Sequence, residues 1–183
     1  MNAISVKNLN KVFTYYEKKE GFQHSLKNLL VRKQKTKEAV KNISFDIDSG
    51  DIIGFLGPNG AGKTTTLKML SGILYPTSGE VHVLGYCPWK RQKEFKMKYS
   101  MVLGQKSQLW PDLPASETFR LNQYIYEVDE RKCKMLLDEL TEYLDVKHLL
   151  NVQVRRLSLG ERMKLELIAS LIHSPQLIFL DEP

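Results

Sequence analysis

The stretch "GPNGAGKT", Gly57 to Thr64, constrains the fold more than any other feature of this 183-residue chain. Its spacing, G-x-x-x-x-G-K-[ST], works only where a strand enters a sharp loop and a helix leaves it, so that backbone N–H groups gather at the helix start. The flanks supply both. "DIIGFL" before the loop is a continuous apolar run, as expected of a strand buried on both faces. After it, Leu67, Leu70 and Leu74 recur at helical spacing. An α/β sheet organised around this strand, loop and helix is the expected fold class.

The loop's chemistry follows from its residue types. Glycines at 60 and 62 let the backbone close on an anion, and N–H groups from Gly60 to Thr65 can point at it from the positive end of the helix dipole. Gly57, Pro58, Asn59, Gly60, Ala61, Gly62, Lys63, Thr64 and Thr65 are therefore the expected triphosphate cradle. Lys63 reaches the β- and γ-oxygens, where it also assists catalysis, and the Thr64 hydroxyl ligates Mg²⁺. A second strand should carry an acid for the metal. "QLIFLDEP", Gln176 to Pro183, delivers Asp181 for the magnesium and Glu182 to activate or orient the attacking water.

Elsewhere the pattern alternates between strand and helix. Ile4 and Val6, then Ile43, Phe45 and Ile47, alternate with polar neighbours as half-buried strands do. "PTSGEVHVLG" reads as a turn and a short strand. Two helices are expected between Ala115 and Leu150. Another should be opened by Ser158 and closed before Pro175, with a last strand over Leu177 to Leu180. The run Lys90 to Lys98 reads as a solvated helix face.

The net charge of +6 is local. Residues 14–41 hold eight basic and three acidic side chains, an excess of five, which argues against a nucleic-acid partner. Within residues 14–38, Phe22, Leu26, Leu29 and Leu30 place one apolar face among lysines and arginines. A basic amphipathic helix there can lie on an anionic membrane surface or meet a partner helix; the plainer alternative, a helix capping its own domain, is favoured. Cys87 and Cys133 lack metal-ligand spacing and are expected as free thiols, and the four histidines form no ligand cluster. The N-terminus has no signal-peptide pattern. Leu167 to Leu180, uncharged but broken by Pro175, is too short to span a bilayer.

Taken in order, "GPNGAGKTT", "LGQ" at Leu103 to Gln105, "LSLGE" at Leu157 to Glu161 and "LIFLDEP" resemble the nucleotide-binding domain of an ATP-binding cassette (ABC) transporter. The resemblance spans essentially the whole chain. It implies an α/β fold with a P-loop NTPase core, an N-terminal antiparallel β-subdomain and an inserted α-helical subdomain over residues 106–157. It implies ATP and Mg²⁺, ATP hydrolysis, and a head-to-tail dimer with a second ATP-binding subunit. A transmembrane permease subunit is the further partner, with the chain cytoplasmic and peripheral on the inner face of the membrane. Gln105 would sit at the Mg²⁺ and water site, and Ser158 and Gly160 would contact the γ-phosphate of ATP bound to the partner. "LSLGE" departs from the usual LSGGQ at Leu159 and Glu161, and the negative charge of Glu161 puts its own ligand role in doubt.

In this family an aromatic residue near the N-terminus stacks on adenine. Phe13 sits at the matching place, with Tyr15 and Tyr16 as rivals. The basic insertion and "GQKSQLWPDLP" look like bacterial exporter-type ATPases of the ABC-2 class, in which Trp110, Leu113 and their neighbours would dock the membrane subunit. The family's next strand and its histidine would follow "LDEP", so residues 1–183 resemble an incomplete cassette with the C-terminal part of the core missing, expected to bind ATP better than it hydrolyses it. Two other readings compete: a soluble ABC ATPase acting on ribosomes or DNA, and a degenerate nucleotide-binding module. A GTPase is disfavoured, because no N-K-x-D base reader is present.

Overall fold

The N-terminal alternation is realised as a long hairpin. In a computed structural model, which describes residues 2–16, 34–104 and 107–181, strand β1 (Asn2–Tyr16) pairs antiparallel with β2 (Gln34–Asp48). Strand β3 (Ser78–Val83) covers the other edge of β1, giving the order β2-β1-β3. Ile4, Val6, Val81 and Val83 turn to the buried side, as period-2 alternation requires. Helix α1 (Lys63–Leu70) contacts β2 and β3. Its buried Leu67, Met69 and Leu70 each contribute roughly 1.5–3 kcal/mol.

The hairpin is bulged between Val6 and Leu9. Asn8 takes a left-handed φ of 49° there, and side chains supply the bonds that the ladder loses. The Asn8 N–H donates to Ser44 Oγ at 2.8 Å, Asn10 Nδ2 to the Asn8 carbonyl at 2.8 Å, and the Asn42 N–H to Asn10 Oδ1 at 2.8 Å. Gly79 of β3 faces this bulge at φ +99°, where a Cβ would lie 2.5 Å from the Asn8 carbonyl oxygen. Only glycine fits there.

These elements form one compact unit, Met1–Arg91; a second comprises Gln92–Pro183. In the second, a short helix α2 (Lys93–Lys96) precedes β4 (Tyr99–Leu103), which pairs in parallel with β5 (Leu177–Asp181). Helices α3 (Ala115–Ile125), α4 (Glu130–Tyr143) and α5 (Leu159–Leu171) complete it. Its core joins Leu109, Phe119, Cys133, Val146, Leu165, Ile168 and Ile172. The two expected helices between Ala115 and Leu150, the helix opened by Ser158 and the final strand are all present.

One expectation is corrected. Residues 51–56, "DIIGFL", are not a strand: Ile52 is 100% and Leu56 95% exposed. An apolar run becomes a strand only where neighbours satisfy its N–H and C=O groups, and none of the described strands pairs with it. Phe55 alone finds an aromatic partner, edge-on to Phe45 at 5.7 Å. At both ends of the insertion over residues 14–38 the described chain is extended. Thr14–Tyr16 pair in register with Gln34–Thr36, and Lys37 and Glu38 continue β2, so the described flanks form a two-stranded ribbon. Phe22, Leu26, Leu29 and Leu30 lie outside the described residues.

Candidate nucleotide-binding site

The phosphate loop is built from turn chemistry. The Ala61 N–H donates to the Pro58 carbonyl at 3.2 Å, and Gly60 and Gly62 take φ of 82° and 91°. Gly62 is the N-cap of α1 and has no side chain with which to cap it. No acidic residue lies in the first turn to offset the helix dipole. The next turn is anchored by Thr66, whose N–H and hydroxyl both donate to the Gly62 carbonyl, at 2.8 and 3.0 Å. Lys63 folds back across the loop, its Nζ donating to the carbonyls of Gly57 at 2.8 Å and Pro58 at 3.1 Å. The result is a glycine-lined, positively charged helix start, suited to a polyphosphate by its backbone as much as by its lysine.

The loop rests on β2. A Cβ on Gly62 would fall 2.3 Å from the Ala39 carbonyl oxygen and 3.1 Å from Val40 Cγ2, so any side chain at 62 would lift the loop off the strand. Val40 stands opposite Lys11 on β1, and further along the ribbon Phe13 faces Lys37, Tyr15 faces Lys35 and Tyr16 faces Gln34. Of the three aromatic candidates, Phe13 is therefore nearest along the ribbon to the residue under the loop. Its ring is 39% exposed, and Lys11 Nζ lies 5.1 Å from the ring centroid. The Lys11 contact was not read from the sequence; the i, i+2 spacing of Lys11 and Phe13 on a strand was the available signal.

In the second unit, register sets Asp181 opposite Leu103 at the C-terminal end of the parallel pair, and the Gly104 N–H donates to the Asp181 carbonyl at 3.0 Å. Asp181 and Gly104 thus share the sheet end at which α/β proteins bind ligands. Gln105 and Glu182 themselves lie outside the described residues.

Ser158 is the N-cap of α5 in a reciprocal capping box. Its hydroxyl accepts from the Glu161 N–H at 3.3 Å and donates to Glu161 Oε2 at 2.8 Å; its own N–H donates to the same oxygen at 2.8 Å. Hydrogen bonds from the Ser158 hydroxyl and backbone hold the Glu161 carboxyl below its ordinary pKa. Of the two residues that depart from LSGGQ, Glu161 therefore has a structural role. Gly160 differs: a Cβ there would meet nothing within 4 Å. The fold does not require that glycine, although glycine costs about 1 kcal/mol relative to alanine in a helix.

Comparison with known proteins bears on the chain as a whole. The sequence profile of the family described as "ABC transporter" matches residues 40–183. The chain is 36% identical over 181 residues to "Cholesterol transporter ABCA5" of Mus musculus, covering 99% of this chain and 10% of that protein. It is 32% identical over 151 residues to "ABC transporter ATP-binding protein NatA" of Bacillus subtilis (strain 168), covering 82% of this chain and 61% of that one. The chain thus spans only part of the relatives it matches. In fold it is similar to a solved "Structure of ATP binding subunit of ABC transporter", with a TM-score of 0.78 at 22% identity, covering 99% of this chain and 66% of the other. The family's profile covers most of the sequence, and the chain belongs to the ABC transporter family.

Proposed function

We propose that this chain is an ATP-binding component of a transporter, which binds and hydrolyses MgATP with a second such subunit to drive a membrane permease. The observation that carries the reading is the start of α1: left-handed glycines at 60 and 62, an uncapped first turn and Lys63 held across the loop. These residues fit a triphosphate because the cradle is made of backbone donors at a helix N-terminus. Thr64 and Asp181 supply the hydroxyl and carboxylate that suit Mg²⁺, a hard ion preferring oxygen ligands. An ion held there would supply positive charge against the phosphates. Lys63 contributes the same stabilisation from the protein, Gln105 and Glu182 orient the attacking water, and Phe13 stacks on the base. Ser158 and Gly160 meet the γ-phosphate of ATP on the facing subunit.

The permease reading is supported by a surface of the second unit. Trp110 is 56% exposed at a turn whose neighbour Leu109 is fully buried. The turn is braced by the Arg155 N–H donating to the Pro111 carbonyl at 2.9 Å and by the Arg155–Asp112 ion pair at 3.0 Å. It begins at Ser107 and Gln108, which line an open groove of about 510 Å³ together with Met97, Met101, Ile125 and Tyr126. An amphipathic segment of a membrane subunit fits such a groove. Among the described residues no helix is long and apolar enough to cross a membrane itself. A peripheral position on the inner face of the membrane, and export as the direction, complete the proposal.

The test is equilibrium binding of ATP with Mg²⁺ present. Lys63→Ala removes a charge-assisted contact to the phosphates, and ATP should bind about tenfold or more weakly. An unchanged Kd would overturn the reading.

A further inference from the structure

We infer that Lys11 is a positioning residue for the base of the nucleotide: it clamps one face of Phe13 and leaves the other face ready for stacking. The inference rests on the proposed role of Phe13 and goes beyond it by naming what holds the ring. Phe13 lies on an exposed ribbon, where a phenyl ring with no fixed neighbour would turn among rotamers and lose that freedom when a base arrived. Lys11 Nζ over the ring at 5.1 Å restricts that rotation through the attraction between an ammonium and the ring's negative face.

The lysine is itself anchored. Its Nζ donates to the Tyr75 carbonyl at 2.7 Å. Tyr75 follows Leu74, whose N–H donates to the Lys68 carbonyl in the last turn of α1 at 2.9 Å. Tyr75 is fixed at its far end, the hydroxyl donating to the Trp89 carbonyl at 3.2 Å and Arg91 lying 5.9 Å from its ring. One ammonium therefore joins the aromatic platform to the segment that leaves the phosphate-loop helix. Base and phosphate positions are tied through a side chain that touches neither.

The experiment compares Kd for MgATP with Kd for magnesium tripolyphosphate, which lacks the base, on the full chain. Lys11→Met should weaken ATP about two- to fivefold and leave tripolyphosphate unchanged. Lys11→Arg should restore ATP binding, and Lys11→Met should have no further effect when combined with Phe13→Ala. If Phe13→Ala weakens ATP and Lys11→Met does not, the clamp is wrong and the platform stands. If Phe13→Ala leaves ATP binding unchanged, the platform itself fails and the clamp with it. Equal loss of ATP and tripolyphosphate on Lys11→Met would mean that Lys11 supports the loop or the fold, which also overturns the clamp.

Discussion

At Ser158 one hydroxyl oxygen accepts from the Glu161 N–H while its proton goes to the Glu161 carboxylate. The same hydroxyl is the proposed contact to a γ-phosphate, so the carboxylate occupies a place that an anion should take. Glutamine fills the third helical position of a capping box as well as glutamate does, without the charge. Glu161→Gln should therefore keep the cap and lower the thermal unfolding midpoint only slightly, through loss of one charge at a helix N-terminus. It should tighten ATP-dependent self-association about two- to fivefold, the size of one charge at a helix N-terminus. Sedimentation with and without ATP measures this, and weaker or unchanged association would show that Glu161 does not compete with the nucleotide. The helix start at Ser158 could be read from the sequence because capping is local. The second role of Glu161 could not, since a departure from a motif does not say what the new side chain will bond.

Among the elements, the helices were legible and the strands only in part. Helices α3, α4 and α5 announce themselves because each satisfies its own backbone, so amphipathic spacing suffices, helped by side-chain caps at Asp129 of α4 and Ser158 of α5. A strand's existence depends on partners remote in sequence. Residues 51–56 have the composition of a buried strand, yet none of the described strands pairs with them, whereas Phe13 to Tyr16, with no strong pattern, are held as a strand by Lys37 to Gln34. Gly79 shows how such a partnership is enforced. An added methyl would meet the Asn8 carbonyl oxygen at 2.5 Å and Leu9 Cα at 2.7 Å, in a left-handed conformation that itself disfavours a side chain. Gly79→Ala should cost about 2 kcal/mol or more of stability through strain and loss of the β1–β3 register. Urea unfolding gives the number; a midpoint equal to that of the parent would mean the bulge gives way easily.

Across the whole molecule, the motifs name most of the proposed site, and a further titratable group outside those motifs lies in the second unit. His173 lies just past α5 in the second unit, stacked on Tyr126 at 3.8 Å with its Nε2 3.2 Å from the Tyr99 carbonyl. A carbonyl only accepts, so Nε2 carries the proton and Nδ1 is bare; Nδ1 is buried without a hydrogen-bond partner. Burial, partly offset by the bond to Tyr99, lowers the pKa of the ring below 6.5. The protonated form is thus disfavoured in the folded unit and accessible in the unfolded chain. The resulting stability is complete above the unfolded pKa of about 6.5 and is lost as pH falls towards the lower folded value. The Glu161 carboxyl, with its own pKa lowered, follows at more acid pH and does not obscure this window. His173→Phe keeps an aromatic ring against Tyr126 and removes the titration. The parent should lose more stability than this variant as pH falls from about 7.5 to about 5.5, because only the parent's unfolded chain gains a proton that its folded form resists. A constant difference between the two proteins across that range would mean that His173 is solvated or partnered in solution.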